Sequence, residues 1–202
     1  MIRFITIGQS PRTDIVPELL SIVGKHVPYV EEGLLDHVED PFVYEPVSED
    51  DLLVSRLRDG RSVRISHKWA SAKIRQYDTS WLSVLLCTAD FESNEVVLPG
   101  RVVRSFFESL PRFEKLLVIV PDPNQIPVIS MKWKRFASSV VCLSHSPYAD
   151  ESFHFNSLDD YDLIYLDCMG YTLKHEEALR VRTTTVVLSA RKILGNFLRC
   201  LL

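Results

Sequence analysis

Short apolar runs rich in Val, Ile and Leu recur along the chain, and most are followed by a longer amphipathic segment. FITIG precedes VPELLSIV, SVLLCT precedes VVRSFFESL, LLVIVP precedes IPVISMKWKRF, LIYLDC precedes EEALRV and TVVLS precedes ILGNFLRCLL, with VVCLS standing before LIYLDC. Strands that are apolar without alternation are covered on both faces, as happens where helical crossovers link parallel neighbours. The pattern therefore predicts an α/β protein with parallel sheets. KLLVIVPDP restarts it just past the middle, after SLPRFE, whose proline marks a boundary. Two similar lobes are expected, residues 1–112 and 113–189. The closing helix, about 190–202, is expected to pack back on the first through Ile193, Leu194, Phe197, Leu198 and Leu201.

A chain of 202 residues with 46% hydrophobic content can bury a core of its own. Its formal net charge of -4 gives no general attraction to nucleic acid or anionic membrane. The N-terminus enters a strand-like pattern, RFITIG, and no apolar run approaches the roughly 18 residues of a membrane span. The expectations are a cytoplasmic location and a small-molecule partner, with no nucleic acid and no membrane. The cysteines at 87, 142, 168 and 200 lack CxxC spacing, which suits reduced thiols better than disulfides or zinc ligands.

Residues 31–51, EEGLLDHVEDPFVYEPVSEDD, are acidic and proline-bearing. They read as a solvated connection that ends in a helix start at SEDDLL, with Ser48 as N-cap and Asp51 near the positive end of the helix dipole. VRISHKW reads as a short strand carrying His67 at its end.

Ligands of open α/β sheets bind beyond the carboxyl ends of the strands. The loops in that position are GQSPR, TADF, PDPNQ and DCMGYT. In the first, Gln9, Ser10 and Arg12 can donate hydrogen bonds, and a helix beginning near Thr13 would add backbone N–H groups, which suits a carboxylate. The bland alternative has Ser10-Pro11 capping that helix and Arg12 in solvent. Cys87 and Cys168 each stand at a strand end, followed by Thr88-Ala89 and by Met169-Gly170-Tyr171-Thr172. A helix N-terminus beside a thiol lowers its pKa from the usual value of about 8.5, and such a thiol can take or give a proton. Either cysteine alone would pass as packing, because cysteine is among the most buried residue types. Two in matching positions point to a site. Cys142, inside VVCLS, and Cys200, in the closing helix, are assigned to packing.

Other chemistries find less support. GxGxxG and GxxxxGK[ST] are absent from the phosphate-binding position, GxSxG is absent, and the histidines at 26, 37, 67, 145, 154 and 175 show no HExxH or other ligand spacing, so no metal is expected. MKWKR, residues 131–135, fits an amphipathic helix face better than a nucleic-acid contact.

Taken in order, TIGQSPRTDIVPELL, EEGLLD, VLLCTADF, VIVP followed by Gln125, LDCMGYT and the terminal VVLSARKILGNFL resemble the AroM family over nearly the whole chain. That family is similar in turn to the aspartate/glutamate racemase superfamily, which includes hydantoin racemases, maleate isomerases and arylmalonate decarboxylases. The resemblance implies two pseudo-symmetric Rossmann-like (flavodoxin-like) lobes with parallel sheets, and an active site in a cleft between them. It also implies two cysteines flanking the substrate, one removing the Cα proton and the other returning it on the opposite face. Cys87 in LLCTA resembles the first and Cys168 in DCMGY the second. Two positions depart from the racemase pattern: Thr88 replaces a common asparagine, and Asp167 replaces a glycine, where like charge would raise the Cys168 pKa. Residues 147–159 are short and polar where a further helix is expected.

The function implied is racemisation or isomerisation of a small carboxylate or cyclic amide without a cofactor. Gln9, Ser10, Arg12, Thr88, Ala89, Gly170, Tyr171 and Thr172 would bind the substrate and stabilise an enolate, and Cys87 and Cys168 would be catalytic. Two alternatives remain open: a single-cysteine decarboxylase or cis–trans isomerase, and a non-catalytic protein that binds a small acid. A homodimer is left open as the protein partner.

Overall fold

A computed structural model describes residues 1–78, 80–149, 153, 155 and 157–202. His154 and part of the 147–159 stretch therefore lie outside the described residues. The chain forms two compact units, Met1–Val102 and Val103–Leu202. The first contains β1 (Ile2–Thr6), α1 (Val16–Val23), β2 (Tyr29–Gly33), β3 (Leu52–Arg56), β4 (Ser62–Ser66), α2 (His67–Ile74), β5 (Leu82–Leu85) and β6 (Val96–Val97). The division falls inside α3 (Pro99–Glu108). The second unit continues with β7 (Phe113–Val120), α4 (Ile126–Trp133), β8 (Ala137–Ser144), β9 (Leu163–Leu166), α5 (Leu173–Arg180), β10 (Val186–Ser189) and α6 (Ala190–Leu201).

Each unit is built on a four-stranded, all-parallel sheet flanked by helices. The first has the order β2-β1-β5-β6 and the second β8-β7-β9-β10. With the separate β3–β4 hairpin set aside and strands numbered within each unit, both sheets run 2-1-3-4, so both units are Rossmann-like. The apolar runs supply the central strands: Ile2, Phe4 and Ile5 of β1, Leu116 to Ile119 of β7 and Ile164 to Leu166 of β9 are fully buried or nearly so. On α1, Val16, Leu19 and Val23 share the buried face, and Gly24 ends the helix at φ 72, donating its N–H to Leu20 O.

The acidic stretch contains more structure than a solvated connection. Its start is β2, an edge strand whose charged Glu31 and Glu32 discourage further strand pairing. SEDDLL does not begin a helix. A three-residue 3-10 turn at Glu49–Asp51 leads into β3, which pairs antiparallel with β4. The physical reason is period-two patterning: Leu53 and Ser55 turn inward opposite Ile65 and Val63, and Leu53, Val63 and Ile65 join one core with Ile5 and Leu85 of the first sheet and Ala70 and Ile74 of α2. Asp51 serves a different helix. It accepts the Lys68 N–H at 2.8 Å at the start of α2, where Ser66 is the N-cap and accepts the Trp69 N–H at 3.1 Å. Burial would raise the Asp51 pKa, but hydrogen bonds to its carboxylate from the Lys68 backbone, the Ser66 side chain and the Val47 backbone outweigh it and hold the carboxyl below its ordinary value.

In the second unit Phe107, Trp133, Phe136 and Tyr165 form an aromatic cluster, with Trp133 4.5 Å from Phe107 and 4.8 Å from Tyr165 between ring centroids. Trp133 of MKWKR is thus a core residue. Helix α6 contacts β10 and buries Ala190, Ile193, Leu194 and Leu198, whereas Phe197 and Leu201 face solvent, a narrower apolar stripe than the spacing suggests. Cys200 is exposed on the same helix rather than packed. The four cysteines form no disulfide, and burial pushes the half-buried Cys142 thiol up. Among the described residues no helix is long and apolar enough to cross a membrane.

Candidate functional site

Where strand order reverses, the loops after the two flanking strands diverge and leave a crevice at the carboxyl edge. In the first unit that point lies between β1 and β5, and in the second between β7 and β9. Cys87 stands two residues past Leu85, the last residue of β5, and Cys168 two residues past Leu166, the last residue of β9. Side chains alternate along a strand, so each thiol shares the face of the leucine before it. Cys87 packs against the core that contains Leu85, and Cys168 against the core that contains Leu166.

In the first unit the loop after β1 is tied down by carboxylates. Asp36 accepts the Ser10 N–H at 2.8 Å, the Ser10 hydroxyl at 2.6 Å, the Gly33 N–H at 2.7 Å and Arg58 Nη2 at 2.6 Å. A Cβ on Gly33 would lie 2.6 Å from Gly8 O, so only glycine lets the two loops lie this close. Arg12, 6% exposed, is held by both Asp14 carboxylate oxygens at 2.8 and 2.7 Å and donates to Thr6 Oγ1 at 3.2 Å. Its own N–H donates to Glu31 Oε2 at 2.6 Å. The helix begins at Val16, after a turn closed on Arg12 O, and Ser10 is not its cap. Gln9 accepts the Arg58 N–H at 3.1 Å and directs Nε2 at Leu35 O. Ser10 and Arg12 thus build the loop, while half-buried Gln9 lies at its accessible side. Thr88 and Ala89, also half-buried, pass under the first turn of α3: a Cβ on Gly100 would lie 2.8 Å from Thr88 O and 3.1 Å from Ala89 O. His67 hydrogen-bonds Asp90 O at 2.7 Å and stacks on Phe91 at 4.8 Å, which fixes the far end of this loop.

In the second unit Cys168 opens a tight turn in which the Gly170 N–H donates to its Sγ at 3.3 Å and the Tyr171 N–H to its carbonyl at 3.3 Å. Gly170 is closely hemmed in, since a Cβ there would lie 2.8 Å from Pro147 and 3.0 Å from the Tyr148 hydroxyl. Tyr171 is fully buried and donates its O–H to His145 O at 2.6 Å; burial first, then the neighbouring Cys168 and Asp167, raises its pKa well above the ordinary value. Thr172 caps α5, accepting the His175 N–H at 3.3 Å and donating its own backbone N–H to His175 Nδ1 at 2.9 Å. Nδ1 is therefore an acceptor, and the neutral ring carries its proton on Nε2. Asp167 points to the opposite face of the strand from Cys168. Its carboxylate accepts Trp133 Nε1 at 2.9 Å and the Tyr165 O–H at 3.4 Å. In the β7 loop, Gln125 keeps its Oε1 buried without a hydrogen-bond partner among the described residues.

Several residues around these loops carry no signal in the sequence reading. Asp36 lay inside the stretch read as a solvated connection, and Arg58 sits in the turn of an unrecognised hairpin. The Asp-Gly pair at 59–60, between two runs of alternating character, is the cue that would have found that hairpin. His175 has no ligand spacing because its role is a helix cap. Glu176 and Arg191, both fully buried, lie in segments read only as helices. Glu176 accepts the Ser189 hydroxyl at 2.5 Å and pairs with Arg180 at 2.6 Å and Lys192 at 3.4 Å, joining the starts of α5 and α6. Among the described residues no three His, Cys, Asp or Glu side chains cluster as a metal site.

Fold and thiol positions together define a parallel α/β protein of two topologically equivalent units, each with a cysteine in the loop after its third sheet strand. The chain belongs to the AroM family: the family model described as AroM protein matches residues 2–202. Comparison with curated proteins finds no match.

Proposed function

We propose that this protein is a cofactor-independent racemase or isomerase of a small carboxylate or cyclic amide, working by proton transfer through Cys87 and Cys168. The observation that carries the reading is the equivalent placement of the two thiols, each two residues past the third strand of a 2-1-3-4 sheet. The resemblance of the AroM family to the aspartate/glutamate racemase superfamily, whose cofactor-independent members use two cysteines, supports the same chemistry.

In this reading one cysteine is a thiolate and the other a thiol. The thiolate takes the Cα proton, the C–H electron pair moves into the adjacent carbonyl as an enolate, and the thiol gives its proton to the opposite face. One proton leaves and one returns, so charge balances and the thiolate and thiol exchange places. We assign substrate contact to Gln9 and to the loops Thr88-Ala89 and Gly170-Tyr171-Thr172. Ser10 and Arg12 support it from behind through Asp36 and Asp14. The unpartnered Gln125 Oε1 suits a substrate N–H, which favours the cyclic amide over a plain carboxylate.

The test is hydrogen exchange in deuterated water with a panel of single-enantiomer hydantoins, amino acids and 2-substituted carboxylates, reading deuterium at Cα and optical rotation. Cys87→Ser and Cys168→Ser are each expected to lower inversion by about 10²- to 10⁴-fold with the circular dichroism unchanged. Full inversion in either variant would end the two-base reading.

A further inference from the structure

Met169 follows Cys168, and its carbonyl is held from below by a residue twenty-two positions later in the chain. Arg191, the second residue of α6, donates Nε to Met169 O at 3.0 Å and Nη2 to the same oxygen at 2.6 Å. The arginine is 0% exposed. A guanidinium buried this deeply keeps its hydrogen-bonded neighbours in fixed geometry, because leaving its donors unmade is costly.

The consequence for Cys168 follows from the geometry of the peptide unit. In a trans peptide the C=O and the N–H point in opposite directions, and the Met169-Gly170 bond is trans. A carbonyl turned toward Arg191 therefore sends the N–H of the same unit the other way, and that N–H is the Gly170 donor to Cys168 Sγ at 3.3 Å. We infer that Arg191 is a positioning residue for Cys168: by gripping and polarising the Met169 carbonyl it aims the Gly170 N–H at the sulfur and favours the thiolate. The inference rests on the reading of Cys168 as a proton-transfer group and supplies the device that prepares it.

Other charged and titratable groups surround this loop. Asp167, beside Cys168 in sequence, directs its carboxylate to Trp133 and Tyr165. Tyr165 and Tyr171 are held neutral, chiefly by burial. From the loop after β8, His145 stacks on Phe153 at 4.2 Å and the Tyr148 hydroxyl lies beside Gly170. From α5, His175 accepts the Thr172 N–H, and Glu176 is matched by Arg180 and by Lys192 of α6. Arg191 is a cation bonded to the Cys168 loop itself, through Met169 O.

The experiment measures iodoacetamide alkylation of wild type, Arg191→Met and Arg191→Lys against pH, with each cysteine read separately by peptide mass spectrometry. Loss of a charge-assisted hydrogen-bond array is expected to slow Cys168 alkylation at pH 7 about ten-fold in Arg191→Met, with Cys87 and Cys200 unchanged. Arg191→Lys keeps the charge without the two-point grip and is expected to fall between. A Cys168 profile in folded Arg191→Met that matches wild type overturns the inference. Should that variant fail to fold, the wild-type Gly170 amide proton decides: its shift is expected to follow Cys168 ionisation with pH and to lose that inflection in Cys168→Ser. A Gly170 amide that ignores the titration overturns the inference as well. Neither readout needs a substrate, so a failure of this inference is told apart from a failure of the Cα exchange test.

Discussion

At the scale of single residues, the buried phenols show how environment resets ordinary chemistry. Burial, followed by the carboxylate of Glu32, pushes Tyr77 up from 10.0 to about 12, and burial raises Tyr165 and Tyr171 well above the ordinary value. A phenol that stays neutral in the folded state but ionises near pH 10 once unfolded adds stability that is full below pH 10 and falls as pH rises through the folded value. The thermal midpoint is therefore expected to decline from about pH 10 upward, and Tyr77→Phe to reduce that decline between pH 10 and 12. Melting curves across that range check it; identical curves for variant and wild type would refute the assignment. The cysteine pair belongs to this scale too. Cys87 and Cys168 were legible in the sequence because one follows the apolar run Val84 to Leu86 directly and the other follows Leu163 to Leu166 after a single aspartate, whereas Arg191 and Glu176 were not, because a buried charge on a helix has the same local spacing as a solvated one.

At the scale of elements, the loops are held from two sides, by carboxylate or arginine anchors and by glycines that allow close approach. Gly100 illustrates the second. A methyl group there would meet Thr88 O and Ala89 O at 2.8 and 3.1 Å, and both are backbone atoms with no flexible end to yield. Gly100→Ala is expected to cost about 1 to 3 kcal/mol and to displace the Cys87 loop, seen as a changed Cys87 alkylation rate while Cys168 keeps its own. An unchanged melting temperature and unchanged Cys87 reactivity would show that the loop does not rest on α3. The elements misread from sequence share a cause. For SEDDLL the capping signal of Ser48 and the acidic first turn argued for a helix, but Leu53 and Ser55 alternate inward, and burial of that face against β4 outweighed local propensity. Strand β2 was hidden because an edge strand carries the charged side chains that otherwise mark a connection.

At the scale of the whole molecule, two sheets with the same 2-1-3-4 order place their cysteines identically, and the proposed chemistry assigns one thiol to each face of the substrate carbon. This separates the two single variants. Cys87→Ser is expected to retain Cα exchange with one enantiomer and Cys168→Ser with the other, neither supporting inversion, as nuclear magnetic resonance of each enantiomer in deuterated water would read. Exchange of both enantiomers by one variant would reduce the chemistry to a single base. The sequence by itself determined the α/β class, the parallel strands and the strand-end cysteines, because burial on both faces and helical periodicity are written in neighbouring residues. Strand order, the hairpin over the first sheet, the grip of Asp36 on Ser10 and of Arg191 on Met169 were decided only by tertiary structure. Those contacts join residues twenty-two to twenty-six positions apart, and no local pattern records which distant donor will meet which carbonyl or carboxylate.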